Sequence, residues 1–236
     1  MDEATLSTWI TYYYKNPEPE LVSSAIQSLQ STGYFNNDSS AAPMSTFLGT
    51  IFSNNKNKIK EWAAIFKPYN DKEKLILIYA LWYSNTDISN KQLKSLKNSD
   101  IHAELIEKLL ASPPKGVETM QITGPAVLDM LWGAFQATGD TKYIDRIITV
   151  LPYVNVKGDT ARLLTGGAAQ WSLTSNAVQH DIVYDHCNMV LDKQPDEIKQ
   201  ELTEILESAK KQRANKRITS SSTRPFIRRF ASLHSV

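Results

Sequence analysis

Phe47–Tyr69 reads FLGTIFSNNKNKIKEWAAIFKPY, and Leu131–Tyr153 reads LWGAFQATGDTKYIDRIITVLPY. The two stretches align without a gap at a shift of 84 residues, pairing Gly49 with Gly133, Lys58 with Lys142, and Pro68-Tyr69 with Pro152-Tyr153. After a five-residue insertion, Ala80 and Trp82 correspond to Ala169 and Trp171. Self-similarity at one spacing marks a repeated supersecondary unit, which buries its apolar face by stacking on its neighbour. The pair therefore predicts two modules, 42–97 and 125–193, inside a single helical domain over 1–207, followed by a basic extension over 208–236.

Helix signals extend in both directions from this pair. Glu3 to Tyr14 is closed by Pro17, because proline disfavours helix at the residue before it. Glu20 to Ser31 stops at Gly33, ahead of a polar loop, NNDSS. Pro43 suits a first helical turn, where its missing N–H costs nothing. Lys58 to Phe66 ends at Pro68, Asp71 is placed to cap a helix to Ser84, and Ile88–Leu96 and Asp100–Ala111 precede Pro113-Pro114. In the second half Pro125 opens a helix that Gly139 ends, and Asp140 caps the next, to Leu151. Asp159 is expected to cap a helix to about Leu173, Ser175 another to Asp192, and Pro195 to start a last one carrying Ile198, Leu202, Ile205, Leu206 and Ala209. No segment alternates at period two, so the expectation is all-α, with about twelve helices. LILIYALWY and ARLLTGGAAQWSL are apolar nearly all round, which assigns both helices to the interior. Gly166, Gly167, Ala168 and Ala169 allow a neighbour close approach.

Composition removes several classes. The chain has 236 residues, 42% hydrophobic and 22% charged, with 9 Gly and 1 Cys, which excludes collagen-like, disulfide-scaffold and Cys-rich zinc proteins. No apolar run approaches the ~20 residues of a membrane-spanning helix. MDEATLSTW is acidic and lacks a leader's basic and apolar regions, so a soluble protein is expected: cytoplasmic if Met1 is native, exported if a leader has been removed.

Trp132-Gly133 to Gly139-Asp140 resembles the helix-turn-helix of tetratricopeptide repeats, including a Gly-Asp turn, over about 20 residues. The turn comes one residue early and Ile144 stands near that family's small alanine, so the resemblance implies only helical-hairpin architecture and an interaction role. That architecture is a right-handed stack of hairpins of the α-solenoid kind. ATGDTKYIDRI is also similar to hairpins of α/α-barrel glycosidases, but this chain is too short for their closed ring of six.

Candidate chemistry is sparse. His180, Tyr184 and Cys187 share a helical stripe, but two turns separate its ends by about 10 Å, too far for a Cys–His pair. His102, His186 and His234 have no zinc-ligand spacing. Asp129, Arg146 and Arg162 lie in apolar settings, where a buried carboxylate calls for a cationic partner and an Asp–Arg tie between helices is the structural expectation. The enzymatic alternative gathers Asp129, Arg146, Arg162 and His180 into one pocket, the carboxylate as acid or base and the arginines holding an anion. Trp82, Tyr83 and Asn85 recur as Trp171, Ser172 and Asn176, which reads as a shared packing requirement at a helix end. No phosphate loop, HExxH or GxSxG occurs. No catalytic residue, metal or cofactor is therefore assigned.

The sharpest break is in charge. Residues 208–236 hold 8 of the 26 basic residues and none of the 25 acidic ones, leaving 18 against 25 in 1–207: net +8 beside net −7. Phe226, Ile227, Phe230 and Leu233 share one helical face, with Arg228 and Arg229 opposite, after a serine-rich ITSSST linker. Arg224, Phe226, Arg228, Arg229 and Phe230 are the candidate partner-binding residues, suited to an anionic surface, a partner groove or the chain's own acidic body. The body is expected to stay folded without the residues beyond Lys216. The function expected from the sequence is a non-enzymatic helical-repeat binding or scaffold protein that recognises a protein or peptide.

Overall fold

The structure is a computed structural model that describes residues 1–98 and 101–218. Twelve α-helices and six short 3-10 turns, and no strand, make up the described residues. They divide into two compact units, Met1–Met120 with Gly133–Thr138, and Gln121–Trp132 with 139–218. No described helix is long and apolar enough to cross a membrane.

The first unit is built on α1 (Glu3–Tyr12), α2 (Val22–Ser31), α3 (Asp38–Asn54), α4 (Ile59–Ile65), α5 (Asp71–Ser84), α6 (Asp87–Lys97) and α7 (Ala103–Ala111). Its core is aromatic. Trp9, Tyr13 and Phe47 meet edge to face at 5.1–5.8 Å, and Phe52 stacks on Trp62 at 5.3 Å. The most extensive helix pair is α3 with α5. Gly49 makes that approach possible, since a Cβ there would lie 2.8 Å from the Tyr83 Cβ and 2.9 Å from the Ala80 carbonyl. Gly133, its match in the repeat, faces α3 instead: a Cβ would lie 2.3 Å from the Pro43 carbonyl.

Several boundaries differ from expectation. α3 begins at Asp38, because Asn37 caps it by accepting the Ser39 N–H at 3.1 Å. NNDSS is therefore a cap and first turn, and Pro43 sits inside the helix, where it withholds one N–H from the ladder. Asn70, rather than Asp71, caps α5: it accepts the Glu73 N–H at 3.0 Å while Glu73 accepts the Asn70 N–H at 2.9 Å, a reciprocal capping box. The expected start of the seventh helix, Asp100, lies outside the described residues.

The second unit holds α9 (Lys142–Ile148), a 3-10 turn over Leu151–Asn155, α10 (Thr160–Gln179), α11 (Asp181–Leu191) and α12 (Asp196–Ile218). The helix before α9, α8 (Pro125–Thr138), opens at Pro125 as expected and is followed by Gly139 at φ 71°. Asp159 caps α10 by accepting the Arg162 N–H at 3.0 Å. Ser175 does not cap a new helix; α10 runs on to Gln179 and breaks at His180, whose extended backbone leads into α11. α12 continues to Ile218, so the described start of the basic extension is helical, with Ala209 buried.

The interior position expected for α10 holds for only one of its faces. Thr165, Gly166, Ala169, Leu173 and Ala177 are buried, whereas Leu163, Leu164 and Trp171 are exposed. The two adjacent glycines fall on opposite sides of this division. A Cβ on Gly166 would lie 2.4 Å from the Val154 nitrogen and 2.6 Å from the Tyr153 carbonyl carbon, whereas one on Gly167 would meet nothing within 4 Å. Gly166→Ala is therefore expected to lower unfolding stability by about 1–3 kcal/mol through overpacking. Gly167→Ala is expected to raise it by about 0.5–1 kcal/mol through helix propensity. Denaturant titration of the two variants measures both, and equal effects would show that α10 does not rest on the 151–155 turn.

Candidate functional site

α10 and α12 run side by side because polar groups fasten them at two levels. Glu201 on α12, only 6% exposed, accepts hydrogen bonds from Asn155 Nδ2 at 2.9 Å and Gln170 Nε2 at 3.1 Å, so both carboxylate oxygens are satisfied. Three turns further on, Arg213 donates to the Ala177 carbonyl at 2.7 Å and pairs with Asp181. Its guanidinium lies 4.7 Å from the centre of the Tyr184 ring. Such a charge-assisted clamp holds α12 to the carbonyl end of α10 and the first turn of α11.

A cleft of about 460 Å³ lies between these helices. α10 contributes Gln170, Trp171, Thr174 and Ser175, and α12 contributes Glu204, Ile205, Ser208 and Gln212. Each set falls on one face, because residues three and four apart stand above one another on a helix. Ile205 is fully buried, while the Trp171 indole remains 43% exposed. Seven residues before Trp171, and so on the same stripe, Leu164 is 61% exposed, with Leu163 beside it at 46%. Exposed Gly167 between them leaves the surface of this stripe flat. The result is an apolar strip that runs into a cleft of amides, hydroxyls and one carboxylate.

None of Asp129, Arg146, Arg162 and His180 lines this cleft. Arg162 is exposed at the start of α10, where it pairs with Asp159 at 3.5 Å and lies 5.3 Å from the centre of the Tyr153 ring. His180 is fully buried at the α10–α11 break. Asp129 is buried in α8, and burial alone pushes its carboxyl up to about 7. The expected Asp–Arg tie is therefore not what accommodates it, since no cation among the described residues offsets the burial and protonation neutralises the group.

The His–Tyr–Cys stripe is likewise structural. Tyr184 lies under Arg213, and Cys187 is buried, its thiol pushed up to about 12 by burial and then by the Asp145 charge. A thiol held protonated in this way is no nucleophile. His186, not singled out by spacing except as a failed zinc ligand, meets Asp145 at 2.6 Å and ties α11 to α9. No group of three potential metal ligands occurs among the described residues. The two tryptophans do not share a packing role. Trp82 donates to the Leu109 and Ser112 carbonyls at 3.0 Å, closing the end of α7, while Trp171 faces outward over the cleft. Sequence reasoning missed this face because it counted apolar residues around α10 and took their number to mean burial. Arg224, Phe226, Arg228, Arg229 and Phe230 lie outside the described residues.

The raised Asp129 value carries a signed pH dependence. Its folded value lies above the ordinary 3.8, so its contribution to stability is full below about pH 4 and is lost as pH rises through about 7. Asp129→Asn cannot ionise and is expected to match the parent near pH 4 and exceed it above pH 7, by a few kcal/mol. Denaturant unfolding across that range tests this, and an Asn variant no more stable than the parent at pH 8 would contradict a buried, unpaired carboxylate.

No protein-family model matches the chain, and neither a curated protein nor a solved structure matches it.

Proposed function

We propose that the chain is a non-enzymatic helical-repeat binding or scaffold protein, its hairpins stacked in the α-solenoid manner, that holds a protein or peptide partner along α10 and in the α10–α12 cleft. The observation that carries this reading is the run of exposed Leu163, Leu164 and Trp171 into a cleft whose walls offer amide and hydroxyl groups. Apolar side chains of a polypeptide fit the strip, and its backbone N–H and C=O groups fit Gln170, Ser175, Ser208 and Gln212. An indole that is rigid and half exposed is the kind of anchor that dominates binding energy at interfaces. The cleft walls carry hydroxyls, amides and Glu204 but no histidine or thiol, and the chain's single thiol is buried and protonated. These features favour recognition over covalent chemistry at this face.

Leu164→Asp changes an exposed side chain and is expected to leave unfolding stability within about 0.5 kcal/mol of the parent. Trp171→Ser also removes the covered half of the indole and is expected to cost about 1–3 kcal/mol while the chain stays folded. Each is expected to abolish capture of the polypeptides that a photo-reactive cross-linker at Ser175 retains from an extract of the native host. Met189→Ser, which alters an equally exposed apolar residue on α11, serves as the control and is expected to leave capture unchanged. Capture that is indifferent to Trp171 and Leu164 would overturn the assignment of this face.

A further inference from the structure

The lysines of the first unit are gathered in one part of it. Residues 1–53 hold 1 lysine and 5 acidic residues, whereas residues 54–98 hold 9 lysines and 4 acidic residues, and no arginine occurs before Arg146. Folding brings most of these lysines to one surface. α2 and α6 each pack on α4 and not extensively on one another, so the three helices stand in a row, and α6 also touches the Lys56–Lys58 turn. Ile59, Trp62, Ala63 and Phe66 are the buried side of α4, and Ser89 and Leu93 that of α6. The outer stripes are therefore Lys60, Ala64 and, just past the helix end, Lys67 on the first, and Asp87, Lys91 and Lys94 on the second. α2 adds no charge to this surface, since Val22–Ser31 contains no acidic or basic residue. Lys58 pairs with Glu61 at 3.1 Å and Lys97 with Glu107 at 3.2 Å. Exposed Lys56, Lys60, Lys67, Lys91 and Lys94 have no carboxylate partner among the described residues. Like charges one turn apart, as Lys91 and Lys94 are, repel each other, a cost that a bound polyanion removes.

We propose that the outer face of α2, α4 and α6 binds a nucleic-acid duplex along its phosphate backbone, without reading its sequence. Lysine ammonium groups meet phosphates as point charges, and exposed Asn54, Asn57 and Ser95 in the same segments add neutral donors to phosphate oxygens. Neighbouring helix axes lie about 8–10 Å apart. That separation falls within the roughly 6–12 Å widths of duplex grooves, so each lysine stripe can follow one strand. A single strand would call for exposed aromatic rings on which bases stack, and a membrane surface for apolar groups that enter it. Residues 54–67 and 87–98 expose neither. Arginine is absent from this face, and with it the two-pronged contact to guanine that most often reads sequence. The face lies wholly in the first unit, and its assignment is independent of the reading of α10.

The test uses the full chain and the fluorescence anisotropy of a labelled duplex of about 20 base pairs, titrated across about 50–200 mM NaCl. Lys60→Gln, Lys67→Gln, Lys91→Gln and Lys94→Gln together are expected to weaken binding at the lowest salt at least about tenfold. They are also expected to shrink the slope of log affinity against log salt by about 3–4, since each lysine–phosphate contact contributes about 0.9. Lys60→Arg, Lys67→Arg, Lys91→Arg and Lys94→Arg keep the charge and are expected to bind as the parent does, which separates lost charge from lost folding. Lys15→Gln, Lys142→Gln, Lys157→Gln and Lys193→Gln remove as much exposed charge elsewhere and are expected to leave the slope unchanged. A parent that does not bind the duplex would overturn the proposal, as would an equal loss in the elsewhere variant or a loss in the arginine variant. An unchanged slope in the first variant would leave the basic residues of 208–236 as the binding element and overturn it too. So would an effect of the first variant confined to phosphatidylserine vesicles, which would assign the face to an anionic membrane. A preference beyond about tenfold between two duplexes of unrelated sequence would overturn the backbone reading.

Discussion

The second unit depends on the absence of one side chain. Because Gly166 has no Cβ, α10 lies directly on the backbone of Tyr153 and Val154. That contact places the whole 151–155 turn, and with it Asn155, whose amide reaches Glu201 on α12. Glu201 takes its second hydrogen bond from Gln170 on α10, so one buried carboxylate joins the turn, α10 and α12. Its two oxygens are both satisfied, which is the condition for burying a charge without a large penalty. The cleft is the space left between α10 and α12 once Glu201 and Arg213 have fixed them.

The same physics separates groups that hold the structure from groups that face outward. Polar side chains that are buried or half-buried here are spent: Glu201 and His186, both buried, on two amides and on Asp145, and half-buried Arg213 on a carbonyl and an aspartate. Asp129 and Cys187 are dealt with by protonation, since burial raises both. Of the exposed large apolar side chains among the described residues, Leu163, Leu164 and Trp171 share a single helix, while Ile101 and Met189 stand alone elsewhere. Contiguous exposed apolar surface of this kind marks an interaction site more often than scattered single residues do.

The repeated segments show how far similarity of sequence outlasts similarity of contact. Gly49 and Gly133 both serve close helix approach, but to different helices, α5 for the first and α3 for the second. Trp82 is tied to the end of α7, while Trp171 has no such neighbour because α10 extends eight residues beyond it. Small residues and aromatics at matched positions preserve the hairpin, and the surroundings then decide whether each is packed or presented.

The sequence by itself determined the all-helical class and most helix ends, because caps and stops are local: Asp159, Gly139 and Pro195 act on backbone groups within a turn of themselves. It also determined that Gly166 or Gly167 would permit a close approach, but it did not say which. Tertiary structure decided that, along with which face of α10 is buried, because burial depends on the neighbour that arrives and an all-round apolar helix offers no preference. The continuation of α10 past Ser175 has the same cause. Ser175 has the chemistry of a cap, yet α10 passes through it because the contacts of Leu173 and Ala177 continue the buried stripe. Glu201, Asn155 and Gln170 are separated by at least 15 residues, so no spacing rule joins them. Only the packing of α10 on the 151–155 turn brought them together, and the candidate site follows from that packing.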